Sequence, residues 1–157
     1  PTPIAAGRGN LGLSLGSLTA LLALAQAACC VVMSMPQVHI VAYCNDLGYG
    51  VARGAEMLSV MLGLGIISRI ASGFIADRLG GLYTLLLGST LQGLALSLYL
   101  VFDGLWSLYA VTALFGLVQG GIVPSYTMIV REYFPPAEAG QRVGIILMAG
   151  IFGMAGG

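Results

Sequence analysis

One arginine stands in the middle of an apolar stretch. Residues 55 to 81 read AEMLSVMLGLGIISRIASGFIADRLGG, and as a helix Ala55 to Ala76 would rise about 33 Å, enough to cross a hydrocarbon core of ~30 Å. Arg69 then sits roughly 12 Å along the axis from Asp77, inside a bilayer. A cation at that depth costs from ~2.5 to more than 10 kcal/mol against lipid, so it must face a polar cavity or a partner. A guanidinium stays charged and presents a planar fork of donors, and the chemistry that matches it is bidentate binding of a carboxylate. Gly65, Ser72, Gly73 and Ala76 share its helical face, while Leu64, Ile67 and Phe74 point elsewhere. Such a small-residue face lets another helix approach closely and marks a bundle interior.

Other polar groups lie at comparable depth. In Pro36-Gln37-Val38-His39-Ile40-Val41-Ala42-Tyr43, His39 and Tyr43 are at i, i+4 and share a face that would look into a cavity. Gln119 and Tyr126, with Ser125 and Thr127 beside them, make a second stretch unusually polar for a lipid-facing helix. Arg69, Gln37, His39, Tyr43, Gln119 and Tyr126 are therefore the candidate lining of a small-molecule site. The competing reading of Arg69 is a structural cation paired with backbone carbonyls or with an acid elsewhere. That of His39 is a hydrogen-bonded packing residue, although an imidazole also suits a coupling proton.

The remaining chemistry is sparse. There is no Ser/His/Asp set, no pair of intramembrane carboxylates and no phosphate-binding loop, so no enzyme is expected. Cys29, Cys30 and Cys44 lack ligand spacing and read as small packing residues, with no metal and no cofactor implied. Hydrophobic residues make up 58% of the chain, charged ones 8%, and the mean hydropathy is +0.96. A soluble domain of this size does not need that much apolar surface, and the lipid bilayer is the expected partner. Zero net charge without a basic cluster argues against nucleic acid.

The elements that would position these groups read as an all-α, polytopic transmembrane bundle. Spans are expected at about 16–44, 55–76, 82–102, 105–130 and 143–157, the last cut in mid-span. Pro36 should kink the first by depriving the Val32 carbonyl of its donor, and Pro124 should flex the fourth. Ser89 and Gly93 form a small-xxx-small pair on the third, and Gly116 and Gly120 another on the fourth. Pro135-Pro136 forbids helix within a loop at 131–142. Trp106 and Tyr109 suit an interface. Arg8, Arg78, Arg131 and Arg142 flank one side and Arg53 the other, which places the chain start and the Asp77 turn in the cytoplasm of a cell-membrane protein. A chain starting at Pro1 and stopping at Gly157 within an apolar run reads as a fragment of a longer protein.

The exit of the second span, Gly73-x-x-x-Asp77-Arg78-x-Gly80, resembles the signature turn G-x-x-x-D-R-x-G-R-K/R of the major facilitator superfamily. Gly81 and Leu82 replace its basic pair, as in the copy between helices 8 and 9. With the alternating spans this implies helices 7 to 11 of a twelve-helix permease, the C-terminal half, whose partner is the N-terminal bundle of the same protein. Met35-Pro36-Gln37-Val38 with Tyr43, and Arg69 through Ala76, look like helices 7 and 8 of the monocarboxylate transporter and oxalate/formate antiporter branch. There helix 8 presents an arginine to the substrate carboxylate, and Arg69 falls on that position. Proton-coupled members carry an aspartate where this chain has Gly65, and the antiporters a helix-11 lysine that residues 143–157 lack.

The resemblance implies secondary active transport of small organic anions, mono- or dicarboxylates, by alternating access, with a proton as the candidate coupling ion. Gly73, Asp77, Arg78 and Gly80 would form a gating turn that latches one half against the other, Asp77 acting at a helix N-terminus of the other half. A permease for a neutral or cationic solute such as a sugar or drug, with Arg69 structural, is the alternative. A non-transporting scaffold or receptor on the same fold is a third.

Overall fold

Long apolar runs punctuated by glycine and proline give an all-helical bundle. The computed structural model describes residues 14–157, so Arg8 lies outside the described residues. Six helices follow one another: α1 (Leu15–Asp46), α2 (Val51–Leu79), α3 (Gly81–Leu98), α4 (Leu105–Gln119), α5 (Ile122–Tyr133) and α6 (Pro136–Gly156). The pair α4 and α5 makes one interrupted span, so five segments among the described residues are long and apolar enough to cross a membrane. Among the described residues there is no strand.

The connections are tighter than the expected spans suggested. The Asp77-Arg78 pair belongs to the last turn of α2 and not to a loop, and Gly80 alone separates α2 from α3. Its φ of +87° is a left-handed value that a side chain resists, which is why glycine is needed there. At the other proline pair, α5 stops at Tyr133 and α6 begins at Pro136 rather than near Val143. A proline in the first helical turn gives up an N–H that would have had no partner, so Pro136 starts the helix that Pro135 keeps from joining α5.

The prolines inside spans behave differently from one another. Helix α1 runs without a break through Pro36. Pro124 does interrupt its span, but one turn earlier, at Gly120-Gly121. The ring of a proline presses on the carbonyl four residues back and offers it no donor. For Pro124 that carbonyl belongs to Gly120, where two glycines do nothing to hold the helix, and Pro124 itself falls in the first turn of α5.

Lipid tails are as apolar as leucine, so helices here gain little by hiding apolar surface from them, and close backbone approach drives association. α1 lies along α6 and beside α2, α2 crosses α4, and α3 leans on α4 and α5. At the α2–α4 crossing, a Cβ on Gly116 would stand 2.5 Å from the Met61 carbonyl oxygen, and one on Gly120 2.8 Å from the Ser68 Cβ. The expected Ser89–Gly93 pair does not make such a crossing. Gly93 faces open space, and α3 instead approaches α5 at Gly81 and Gly88, where a Cβ would lie 3.0 Å from Ile129 and Ile122.

Two buried clusters result. One joins Leu18, Leu22, Leu85, Ile122, Tyr126 and Ile129, and the other Ile40, Cys44, Met57, Met61, Leu108 and Phe115. Leu24, Ile70, Phe74, Leu100 and Phe152 are exposed, as suits side chains turned to lipid. Gln37 and Gln119 each fall between the clusters in sequence, near mid-bundle.

Candidate binding cleft

Arg69 is held by the helix crossing just described. Gly65, one turn before it, is buried, and Ser68 and Ser72 meet the glycines of the α4–α5 break, so the backbone on either side of Arg69 is pinned to α4. Arg69 itself is exposed, on a cleft of about 330 Å³ whose walls include Met33 and Gln37 of α1, Gln119 and Gly120 of the break, and Met154 of α6. At roughly 27 Å from Val51 and 15 Å from Leu79 along the axis, it is well inside the span. Gln37 Nε2 donates to Gln119 Oε1 over 3.0 Å and links α1 to the last residue of α4. Gln119 is 4% exposed, so its amide sits in the wall and reaches the cleft only with its edge.

No carboxylate lines this cleft. Among the described residues the ion pairs are Arg53 with Glu56 and Arg142 with Glu138, and Arg69 takes part in neither. A guanidinium, two amides and thioether walls make a place where an anion is favoured and a cation is not. Inside a low-dielectric bundle that preference is stronger than it would be in water.

His39 and Tyr43 are not brought to Arg69. They line a separate, largely apolar groove of about 280 Å³ with Pro36, Leu96, Tyr99 and Leu100. The reason is helical phase: His39 is two residues from Gln37, about 200° around α1, so the two side chains leave on opposite sides. His39 Nε2 lies 3.3 Å from the Gly157 carbonyl oxygen.

Tyr126 is not brought there either. It is 1% exposed, packs among Leu18, Leu22, Leu85 and Ile129, and donates from its hydroxyl to Cys29 Sγ at 3.7 Å. Seven residues apart on one continuous helix, Gln119 and Tyr126 would share a face. Gln119 borders the cleft, whereas Tyr126, two turns further along, fills the core.

The residues of the signature turn are together at one end of the bundle. Asp77 and Arg78 are exposed, Gly80 makes the turn, and Gly73 has open space beside it. Glu132, in the last turn of α5, joins them: its Oε1 accepts from the Gly81 backbone N–H at 3.1 Å. An acid in the last turn of α5 is off-pattern, because helix C-termini favour cations, and the N-terminus of α3 supplies the positive end it needs. That mismatch was the available signal. Arg78, Glu132, Tyr83 and Tyr133 border a second cleft of about 340 Å³ there.

The other charges tie helices. Arg142 reaches Glu138 at 2.9 Å and Thr19 Oγ1 at 3.1 Å, joining α6 to α1. Arg53 and the Tyr109 hydroxyl both bond Glu56, joining α2 to α4 at the opposite end.

The chain matches the family model described as Major Facilitator Superfamily over residues 4–157. It is 31% identical over 116 residues to monocarboxylate transporter 13 of Bos taurus, covering 73% of this chain and 27% of that protein. It is 34% identical over 132 residues to probable anion transporter 4, chloroplastic, of Arabidopsis thaliana, covering 83% and 25%. The chain thus spans about a quarter of the length of these relatives. No solved structure matches it.

Proposed function

The chain belongs to the major facilitator superfamily, and on that premise we propose that it is part of a secondary transporter of small organic anions in which Arg69 holds the substrate carboxylate. The observation that carries this reading is the cleft itself: a guanidinium inside a membrane span that has no acid partner among the described residues and faces amides and thioethers. Bidentate pairing with a carboxylate would satisfy that charge without a permanent counter-ion. The names of the two relatives, a monocarboxylate transporter and a probable anion transporter, point to the same substrate class.

In this reading the bundle works against a second one, and the cleft opens alternately to each side. The break at Gly120-Gly121 lets α4 and α5 bend beside the bound anion. The Asp77-Arg78 turn latches the end we place in the cytoplasm, from the arginine bias of the flanking segments. Gln37 and Gln119 complete the polar wall, while His39, Tyr43 and Tyr126 support the bundle.

The test is uptake of radiolabelled carboxylates, sugars and amines into vesicles containing the full-length protein, with and without an imposed pH gradient. Saturable carboxylate uptake that falls about tenfold or more with Arg69→Lys, and vanishes with Arg69→Ala, is expected. A guanidinium fork and an ammonium differ by that order at a bidentate site. Uptake restricted to neutral or cationic solutes, or indifferent to Arg69→Ala, would overturn the assignment. Acceleration by the gradient would identify a coupling proton.

A further inference from the structure

Resting on the reading of Arg69 as the carboxylate-binding group, we infer that Leu62, Ile66 and Met154 seat the hydrocarbon part of the substrate, with Met154 setting how long a chain the cleft accepts. All three are large apolar side chains exposed at the surface of the bundle. Such side chains ordinarily face lipid. These three border the same cleft as Arg69, and a guanidinium at that depth is not turned to hydrocarbon tails. Their exposure therefore belongs to the cleft and not to the lipid-facing surface.

Helical spacing gives the cleft a direction. Ile66 and Leu62 lie three and seven residues before Arg69 on nearly the same face of α2, so the apolar wall extends about 10 Å from the arginine toward the Val51 end of the helix. Gly65 lies between them and has no side chain to interrupt it. Side chains on a helix lean toward its N-terminus, which directs the guanidinium along this wall and away from Asp77. A carboxylate held by Arg69 then places its substituent beside Ile66 and Leu62.

Met154 closes the wall from α6, and its direction is fixed by the residues behind it. Gly153 lies against the Ala27 carbonyl of α1 with no room for a side chain, and a Cβ on Gly150 would stand 2.8 Å from Gln26 Nε2. These buried glycines keep α6 from rotating on α1, so the next residue, Met154, stays on the cleft. With Met33 of α1 it makes a thioether lining. An unbranched thioether side chain adapts to hydrocarbon of different shapes. A second carboxylate at this end would instead be desolvated against thioethers and branched alkyl groups.

The test is the KM for uptake of acetate, butyrate, hexanoate and succinate by the full-length protein and by its Met154→Ala, Met154→Trp and Arg69→Ala variants. In the parent, KM is expected to fall from acetate to hexanoate, by at most about fourfold per methylene, and to be higher for succinate than for butyrate. Met154→Ala should raise the KM for hexanoate about fivefold and leave that for acetate within about twofold. Met154→Trp, which fills the end of the cleft, should lower hexanoate uptake about tenfold or more while acetate uptake is retained, which also shows that the variant folds. A parent KM indifferent to chain length, or Met154→Ala effects that are equal for all acids or absent for all, would overturn the proposal. Arg69→Ala should abolish uptake of every acid. Uptake indifferent to Arg69→Ala would remove the carboxylate reading itself, whatever the Met154 variants do.

Discussion

Gly121 of the α4–α5 break lies directly against Ser72 of α2, so closely that a Cβ on the glycine would come within 2.5 Å of the Ser72 Oγ. The contact is made three residues beyond Arg69, where α2 would otherwise be free to move away from α4. Gly121→Ala should separate the two helices and cost about 1–3 kcal/mol, as overpacking of a tight interface does. Gly93→Ala, at a glycine with open space around it, should be neutral or raise stability by up to ~1 kcal/mol through helix propensity. Thermal unfolding of the two variants in detergent separates these cases, and equal shifts would mean that the α2–α4 crossing is not held by this glycine.

Pro124 keeps α4 and α5 apart by denying Gly120 a donor. Pro124→Ala restores that N–H, and the expected result is a continuous helix over 116–128, with backbone amides of residues 122–125 exchanging hydrogen at least tenfold more slowly. If bending at the break accompanies transport, maximal uptake should fall at the same time while KM changes little. Unchanged exchange would show that the two glycines break the helix without help.

Glu132 joins α5 to the turn between α2 and α3. Glu132→Gln retains an acceptor for the Gly81 N–H and loses the charge, while Glu132→Ala loses both. A charge-assisted hydrogen bond contributes about 1.5–3 kcal/mol, so stability should fall in the order Glu132, Gln, Ala, and accessibility of a cysteine placed at Leu82 should rise in the same order. A Glu132→Ala protein as stable as the parent would make this a solvated surface charge.

His39 and Tyr43 face a groove other than the one containing Arg69. Accordingly, His39→Gln and Tyr43→Phe should leave the KM for carboxylate uptake within about twofold of the parent. Kinetics of the two variants beside Arg69→Lys would show it. A tenfold effect from either would mean that the groove between α1 and α3 belongs to the transport path.

Much of the architecture was legible because a bilayer imposes strong length rules. Apolar runs of span length, an arginine that lipid cannot solvate, and a Gly-x-x-x-Asp-Arg-x-Gly exit are all local features, readable without any knowledge of what packs on what. The same holds for Gly116 and Gly120, whose spacing already implied a close crossing. Less was legible where a side chain's surroundings depended on what packs beside it. Tyr126 was grouped with Gln119 as polarity on one span although it lies two turns away among core residues, and His39 was grouped with Gln37 by nearness in sequence although the helix turns them apart.

An all-helical membrane bundle with one cation at depth follows from composition and spacing, because hydrocarbon thickness and the cost of placing a charge in it act on those alone. Which polar groups meet that cation depends on packing. Gln37 and Gln119 are 82 residues apart and come together where glycines at 116, 120 and 121 let α4 close on α2. Three-dimensional packing also chose the partner of Glu132, since the positive end of α3 is supplied by a helix whose start no local pattern in α5 could specify.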